Sequence, residues 1–222
     1  MSWIARRWYD FVFWSAFLVF TFGYSIRVIG RRNMPEKGPV LVVANHQSMF
    51  DPVMMGMVSR RYLCYLARNT LFKNRYFTAL IRFMGAVPID RDFGKAGLQK
   101  TLELLEAGNA VLVFPEGERT HDGELEPFKA GISLLIKRVK APIVPIGIVG
   151  AFDAWPRGRK IPRLAPLFLA PSPGNIAASV GEPIDPAIFA NLSREEMLSK
   201  LFDAVAVEFA KAKRIKRRQR LT

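Results

Sequence analysis

Apolar runs at 39–44, 62–66, 86–89, 110–114 and 142–149 divide this chain, and stretches of helical character separate them. The intervening patterns lie near 52–60, 72–84, 95–107 and 129–139. In the third, Leu98, Leu102 and Leu105 recur at i, i+4 and i+7, and Gly108 supplies a stop. Short continuous apolar runs suit strands buried on both faces. Alternating them with helices predicts an α/β layer fold: a single, mostly parallel sheet flanked by helices, with right-handed crossovers. At 222 residues, half of them hydrophobic, the chain has material for one domain and its core. No internal repeat or low-complexity segment interrupts the pattern.

Two of the runs end in loops rich in reactive groups. After Pro39–Ala44 comes Asn45-His46-Gln47-Ser48-Met49-Phe50-Asp51, and after Ala110–Val113 comes Phe114-Pro115-Glu116-Gly117-Glu118-Arg119-Thr120. Loops delivered by buried strands are where sites are commonly built. An imidazole is basic near neutral pH, and a carboxylate beside it fixes its tautomer and stabilises the imidazolium. His46 and Asp51 are badly placed to meet along one continuous helix, because i and i+5 diverge around the axis. Asp51-Pro52 removes the difficulty. Asp is a favoured N-cap and Pro a favoured first helical residue, so a helix is expected to begin at Asp51 with His46 in the turn before it. Arg119 in the second loop is a cation able to hold a phosphate. A spacing as short as His-x-x-x-x-Asp also arises by chance, with Asp51 a cap and His46 an ordinary loop residue.

Four motifs in order strengthen the functional reading. Asn45-His46 through Asp51, Gly85-Ala86-Val87-Pro88-Ile89-Asp90-Arg91, Phe114 to Thr120, and Val144-Pro145-Ile146 together resemble the glycerolipid acyltransferase family. Within it they are most similar to the bacterial 1-acyl-sn-glycerol-3-phosphate acyltransferases. The resemblance runs from about Ile29 to Pro186. It implies His46 as general base with Asp51 holding it. It also implies Glu116, Gly117 and Arg119 at the acceptor's glycerol-phosphate, with Arg91 as a second phosphate contact. The third motif of the family reads Pro-Glu-Gly-Thr-Arg-Ser, whereas Glu118 and Thr120 stand here. Thr120 keeps a hydroxyl. Glu118 brings a second carboxylate, which opposes an anion unless it points away or pairs with a cation.

Charge adds a partner. The 33 basic and 19 acidic residues give +14, which calls for an anionic surface. Zinc-ligand spacings, RNA-binding signatures and DNA-reading helices are missing from the sequence, so nucleic acid is the weaker candidate. Phe11 to Ile26 is almost wholly apolar and aromatic, with Arg6 and Arg7 before it and Arg27, Arg31 and Arg32 after it. These 16 residues reach about 24 Å as a helix, short of the roughly 30 Å hydrocarbon core. Positive charge on both sides gives no orientation for a spanning helix. An in-plane or re-entrant anchor on anionic lipid at the cytoplasmic face of the inner membrane is the expectation. A signal peptide is disfavoured, because Phe22-Gly23-Tyr24-Ser25-Ile26-Arg27 makes a poor cleavage site. Residues 1–32 thus read as a membrane-associating segment and 33–222 as the acyltransferase domain.

Beyond the last motif, 154–173 reads as an irregular basic loop facing lipid headgroups, an acidic acyl-carrier protein or solvent alone. Ser193-x-x-Glu196 is a capping box opening a final helix. Met197, Leu201, Val205 and Phe209 form its apolar stripe, and Lys211, Lys213, Arg214, Lys216, Arg217, Arg218 and Arg220 its basic end. Near anionic lipid such residues gain about 1 kcal/mol each. Lone Cys64 excludes an internal disulfide, suits a reducing compartment, and reads as core rather than nucleophile.

The resemblance implies acyl transfer from a thioester to the free hydroxyl of lysophosphatidic acid, forming phosphatidic acid. Acyl-CoA or acyl-carrier protein would be the co-substrate, with no cofactor and no metal. His121, the other histidine, has no ligand spacing around it and falls in a predicted exposed turn. Glycerol 3-phosphate or a phosphorus-free lysolipid stays open as an alternative acceptor. A non-catalytic membrane scaffold is the remaining reading, disfavoured by the presence of His46, Asp51, Glu116 and Arg119.

Overall fold

The computed structural model describes residues 3–89 and 94–217. Strands β1 (Arg27–Ile29), β2 (Val40–Ala44), β3 (Leu63–Arg68), β4 (Ala86–Ile89), β5 (Ala110–Val113), β6 (Ile143–Val149) and β7 (Ala177–Val180) form one sheet in the order β1-β7-β6-β2-β5-β3-β4. Strands β2 to β6 run parallel, as the alternation predicts. The other edge departs from that pattern: β7 pairs antiparallel with β6, and β1 parallel with β7.

Every residue of β2, β5, β6 and β7 is buried, because helices cover both faces. On one face, Val40, Val42, Leu112, Val144 and Ile146 meet α2 (Asp51–Ser59) and the N-terminal helix α1 (Trp3–Leu18). On the other, Leu41, Val43, Val111, Val113 and Ile143 meet α4 (Lys95–Glu106), α5 (Gly131–Ile136) and α7 (Arg194–Ile215). Cys64 is buried in this second layer, where desolvation pushes its thiol up, as suits a core residue. Helix α3 (Arg75–Phe83) packs beside β4, and the short α6 (Ala151–Ala154) follows β6 directly. The expected capping box starts α7, and Met197, Leu201, Val205 and Phe209 are all buried.

The N-terminal helix begins well before the apolar run, since the residues preceding Phe11 include good helix formers such as Ala5 and Arg7. It passes into a π-helical turn, Val19–Gly23, that buries Phe20 against Tyr24 and Phe50. Among the described residues no helix is long and apolar enough to cross a membrane.

Reversed direction at one edge has a consequence for the site. Val149, Ala177 and Arg27 align in one row, so the entries to β1 and β7 lie beside the exit of β6. The loops leaving β2, β3, β5 and β6 therefore share an edge with the segments entering β1 and β7. Pro145, from the fourth motif, sits inside β6. Its carbonyl accepts from Gly181 N at 2.8 Å, just past the end of β7, where the ladder stops and a missing N–H costs little.

Helix α7 presses on β6 at Gly147. A Cβ there would run into the backbone of Glu208 and Phe209. Gly147→Ala is therefore expected to cost at least about 2 kcal/mol, lowering the thermal midpoint by roughly 4–8 °C in a circular dichroism melt.

Candidate active site

Asp51 is fully buried at the start of α2, and its Oδ2 is the meeting point of the first loop. That oxygen lies 2.7 Å from His46 Nδ1 and accepts from Gln47 N at 2.6 Å and Ser48 N at 2.8 Å. A carboxylate oxygen only accepts, so Nδ1 carries the proton and Nε2 keeps its lone pair. The helix does start at Asp51, but Asp51 is not its N-cap. That position is Phe50, which has no side-chain cap bond. The Asp51 carboxylate turns back onto the preceding turn instead of onto α2, because His46, Gln47 and Ser48 fold around it.

The rest of the loop is pinned to β6 and α6. Asn45 bridges the backbone of Ile148 from both ends, donating through Nδ2 at 2.9 Å and accepting through Oδ1 at 2.7 Å. Gln47 Oε1 accepts from Ala151 N and Phe152 N. Phe114 stacks on the imidazole, 4.0 Å between centroids and 13° between planes. Imidazole rotation is thereby blocked by a ring on its face and a carboxylate on its edge.

Glu116 links the two loops. It is buried, and its carboxylate accepts from His46 N at 3.1 Å and Glu126 N at 3.4 Å. Burial pushes its pKa up to about 8, against the lowering effect of those two bonds. Thr120 N donates to His46 O at 2.8 Å, a second tie. Gly117 has φ +76, a left-handed turn that sends Glu116 inward and leaves Glu118 exposed.

Glu118 pairs with a cation that sequence spacing does not reveal. Its Oε2 accepts from Arg157 Nη1 at 3.0 Å, and Arg157 holds the carboxyl below its ordinary value. His121, exposed as expected, lies 3.0 Å from the same Arg157 nitrogen. Among the described residues no hydrogen bond or ion pair engages the Arg119 guanidinium. Partial burial and the neighbouring Arg157 pull it below its ordinary value, while Asp51 opposes this. The stem of Lys129 passes over Gly117, at 3.2 Å from where a Cβ would stand. Arg119, Arg157 and Lys129 thus bring three cations from separate segments to one loop, suited to an anion. Arg91, expected to be a further phosphate contact, lies outside the described residues.

An apolar groove starts beside Asp51, at Pro52. It runs between α1 and α2, lined by Val12, Phe13, Val53, Met57 and Met84. Among the described residues no three His, Cys, Asp or Glu side chains gather into a metal-binding group.

Comparison with known proteins gives a consistent result. A family model described as "Acyltransferase" matches residues 25–149. The chain is 26% identical over 183 residues to the 1-acyl-sn-glycerol-3-phosphate acyltransferase of Bacillus subtilis, covering 82% of this chain and 84% of that protein. It is 29% identical over 159 residues to the chloroplastic enzyme BAT2 of Brassica napus, of which it spans 46%. The crystal structure of the 1-acyl-sn-glycerophosphate (LPA) acyltransferase PlsC from Thermotoga maritima superposes with TM-score 0.69 at 26% identity, covering 96% of this chain and 90% of that one.

The raised Glu116 pKa has a definite sign. The folded carboxyl holds its proton more tightly than the unfolded one, whose pKa is near 4.5. Its contribution to stability is therefore greatest at low pH and is lost as pH rises from that value through about 8. Glu116→Gln removes the titration, so urea unfolding of the wild type should show stability falling more steeply between these limits than in the variant. Equal slopes would contradict the assignment.

Proposed function

This chain belongs to the acyltransferase family, and from that premise we propose that it transfers an acyl chain from a thioester to the free hydroxyl of lysophosphatidic acid, forming phosphatidic acid. The observation that carries the reading is the His46–Asp51 pair, 2.7 Å apart, with Nε2 unshared and cations from three segments gathered at the facing loop.

In this mechanism the acceptor hydroxyl attacks the thioester carbonyl carbon while His46 Nε2 takes its proton. Asp51 keeps Nδ1–H in place and offsets the positive charge on the imidazolium. The tetrahedral intermediate collapses, the C–S bond breaks, and the imidazolium returns the proton to the departing thiolate. An ester and a free thiol result, and the chain itself is never acylated. Glu116 positions His46 by accepting from its backbone N–H, and Gly117 turns the loop so that Arg119 can meet the acceptor phosphate. The extra carboxylate of Glu118 does not oppose that phosphate, because Arg157 neutralises it and adds a guanidinium beside Arg119.

The donor we take to be acyl-CoA or acyl-carrier protein, its acyl chain lying along the apolar side chains between α1 and α2. The same reading puts the protein on the cytoplasmic leaflet of the cell membrane. Along α1 and the turn after it, Phe11, Trp14, Leu18 and Phe22 are exposed at helical spacing and form an apolar stripe.

Purified protein given a thioester and lysophosphatidic acid should release phosphatidic acid. His46→Ala should cut turnover by about 10²–10⁴-fold with the fold intact. Arg119→Lys, unable to reproduce a bidentate grip, should raise the KM for lysophosphatidic acid and leave that for the thioester unchanged. Faster turnover of a phosphorus-free acceptor would overturn the phosphate site. Equal effects of Arg119→Lys on both substrates would make it a loop-folding residue.

A further inference from the structure

Between α6 and β7 the chain runs from Trp155 to Ile176 with no helix or strand, yet its backbone is tied from several sides. Ala165 N donates to Gly23 O at 2.8 Å, and Leu167 N to Phe22 O at 2.9 Å. Ser25 Oγ and Asn175 Nδ2 both donate to Ala165 O at 3.1 Å. Arg217, just past α7, donates to Leu167 O at 2.7 Å, and Arg163 N donates to Ala154 O at 2.7 Å. A loop held this firmly has the means to tuck its apolar side chains inward. It does the reverse: Phe168 is 80% exposed, Ile161 75%, and Leu164 and Leu169 each 62%. Around them stand Arg157, Arg159, Lys160 and Arg163, all exposed, and 154–174 contains no acidic residue.

This patch is continuous with the exposed stripe of α1. The Phe168 ring stacks on Phe22, 5.8 Å between centroids, and the Leu164 side chain lies against Gly23. Strand directions put both elements on the edge of the sheet that carries His46. Scattered exposed apolar residues are ordinary, but a rigid, contiguous apolar surface ringed by cations calls for one kind of partner. An acidic carrier protein would satisfy the cations and leave four large apolar side chains without use. An anionic lipid leaflet takes both, the side chains in its acyl region and the cations at its headgroups.

We propose that the 155–171 loop is a second membrane-inserting element, which dips Ile161, Leu164, Phe168 and Leu169 into an anionic leaflet beside α1. It extends the membrane reading of α1 given above. Two points of contact on one edge of the sheet, rather than one helix, would fix the tilt of the domain and hold the mouth of the site against the lipid surface.

The deciding readouts are of lipid binding and need no catalysis, so the proposal stands or falls separately from the assigned reaction. In a Cys64→Ala background, Phe168→Cys is labelled with a nitrobenzoxadiazole probe and titrated with vesicles of phosphatidylcholine and phosphatidylglycerol. The expected result is a blue shift with gain of intensity, quenched by nitroxide-bearing acyl chains. The same probe at Leu134→Cys, exposed on α5 across the sheet from α1, should not respond. The double variant Phe168→Asp/Leu169→Asp should partition into these vesicles about tenfold less well or worse. Its turnover of a short-chain soluble acceptor should be unchanged. A probe at Phe168 that stays unshifted on saturating vesicles would overturn the proposal, as would equal partition of the double variant. A probe that responds to acidic acyl-carrier protein and not to vesicles would do the same.

Discussion

One buried oxygen organises this site. Asp51 Oδ2 gathers the imidazole of His46 and two consecutive backbone N–H groups, and this closes the turn between β2 and α2 around it. A carboxylate sealed from solvent is costly unless its charge is answered, and here the answer is geometric. The donors to Oδ2 are the ones that fix the orientation of the base. Stability of the turn and readiness of His46 are therefore the same interaction. Phe114 and Glu116 then lock the imidazole plane and the His46 backbone from the neighbouring strand, so the two loops are tied together.

Sheet topology decides what surrounds those loops. Five parallel strands bring their C-terminal ends to one edge, which is where α/β folds place ligands. The reversed β1 and β7 add the end of the α1 segment and the Pro- and Arg-rich loop to the same edge. Helix α7, lying on β6 through Gly147, delivers its basic end there too, where Lys216 pairs with Asp153 and Arg217 binds the 155–171 loop. Base, cations and exposed apolar surface thus come together from segments far apart in sequence.

Legibility in the sequence followed burial and range. Strands β2 to β6 were readable because residues such as Val40–Ala44 are continuous apolar runs, the mark of two-sided burial. Three-residue β1 was not, and β7 takes its direction from distant contacts with β6 that no local pattern encodes. His46, Asp51, Glu116 and Arg119 announced themselves as residue types in strand-delivered loops. Arg157 did not, since its partner Glu118 lies 39 positions away and one surface arginine looks like another. Phe114 looked like the end of a strand and proved to be the imidazole's stacking partner. The Asp-Pro signature pointed to an N-cap, but local donors at Gln47 and Ser48 competed for the carboxylate and won.

The most direct measurement is the tautomer of His46. The chain has two histidines, so ¹⁵N-labelled imidazole resonances can be assigned with His121→Gln alone. At a pH where imidazole is neutral, His46 should carry its proton on Nδ1, with Nε2 showing the shift of an unprotonated nitrogen. Asp51→Ala, which removes the acceptor, should abolish that preference. A wild-type His46 protonated on Nε2 would contradict the account, because the nitrogen proposed to take the acceptor's proton would already hold one.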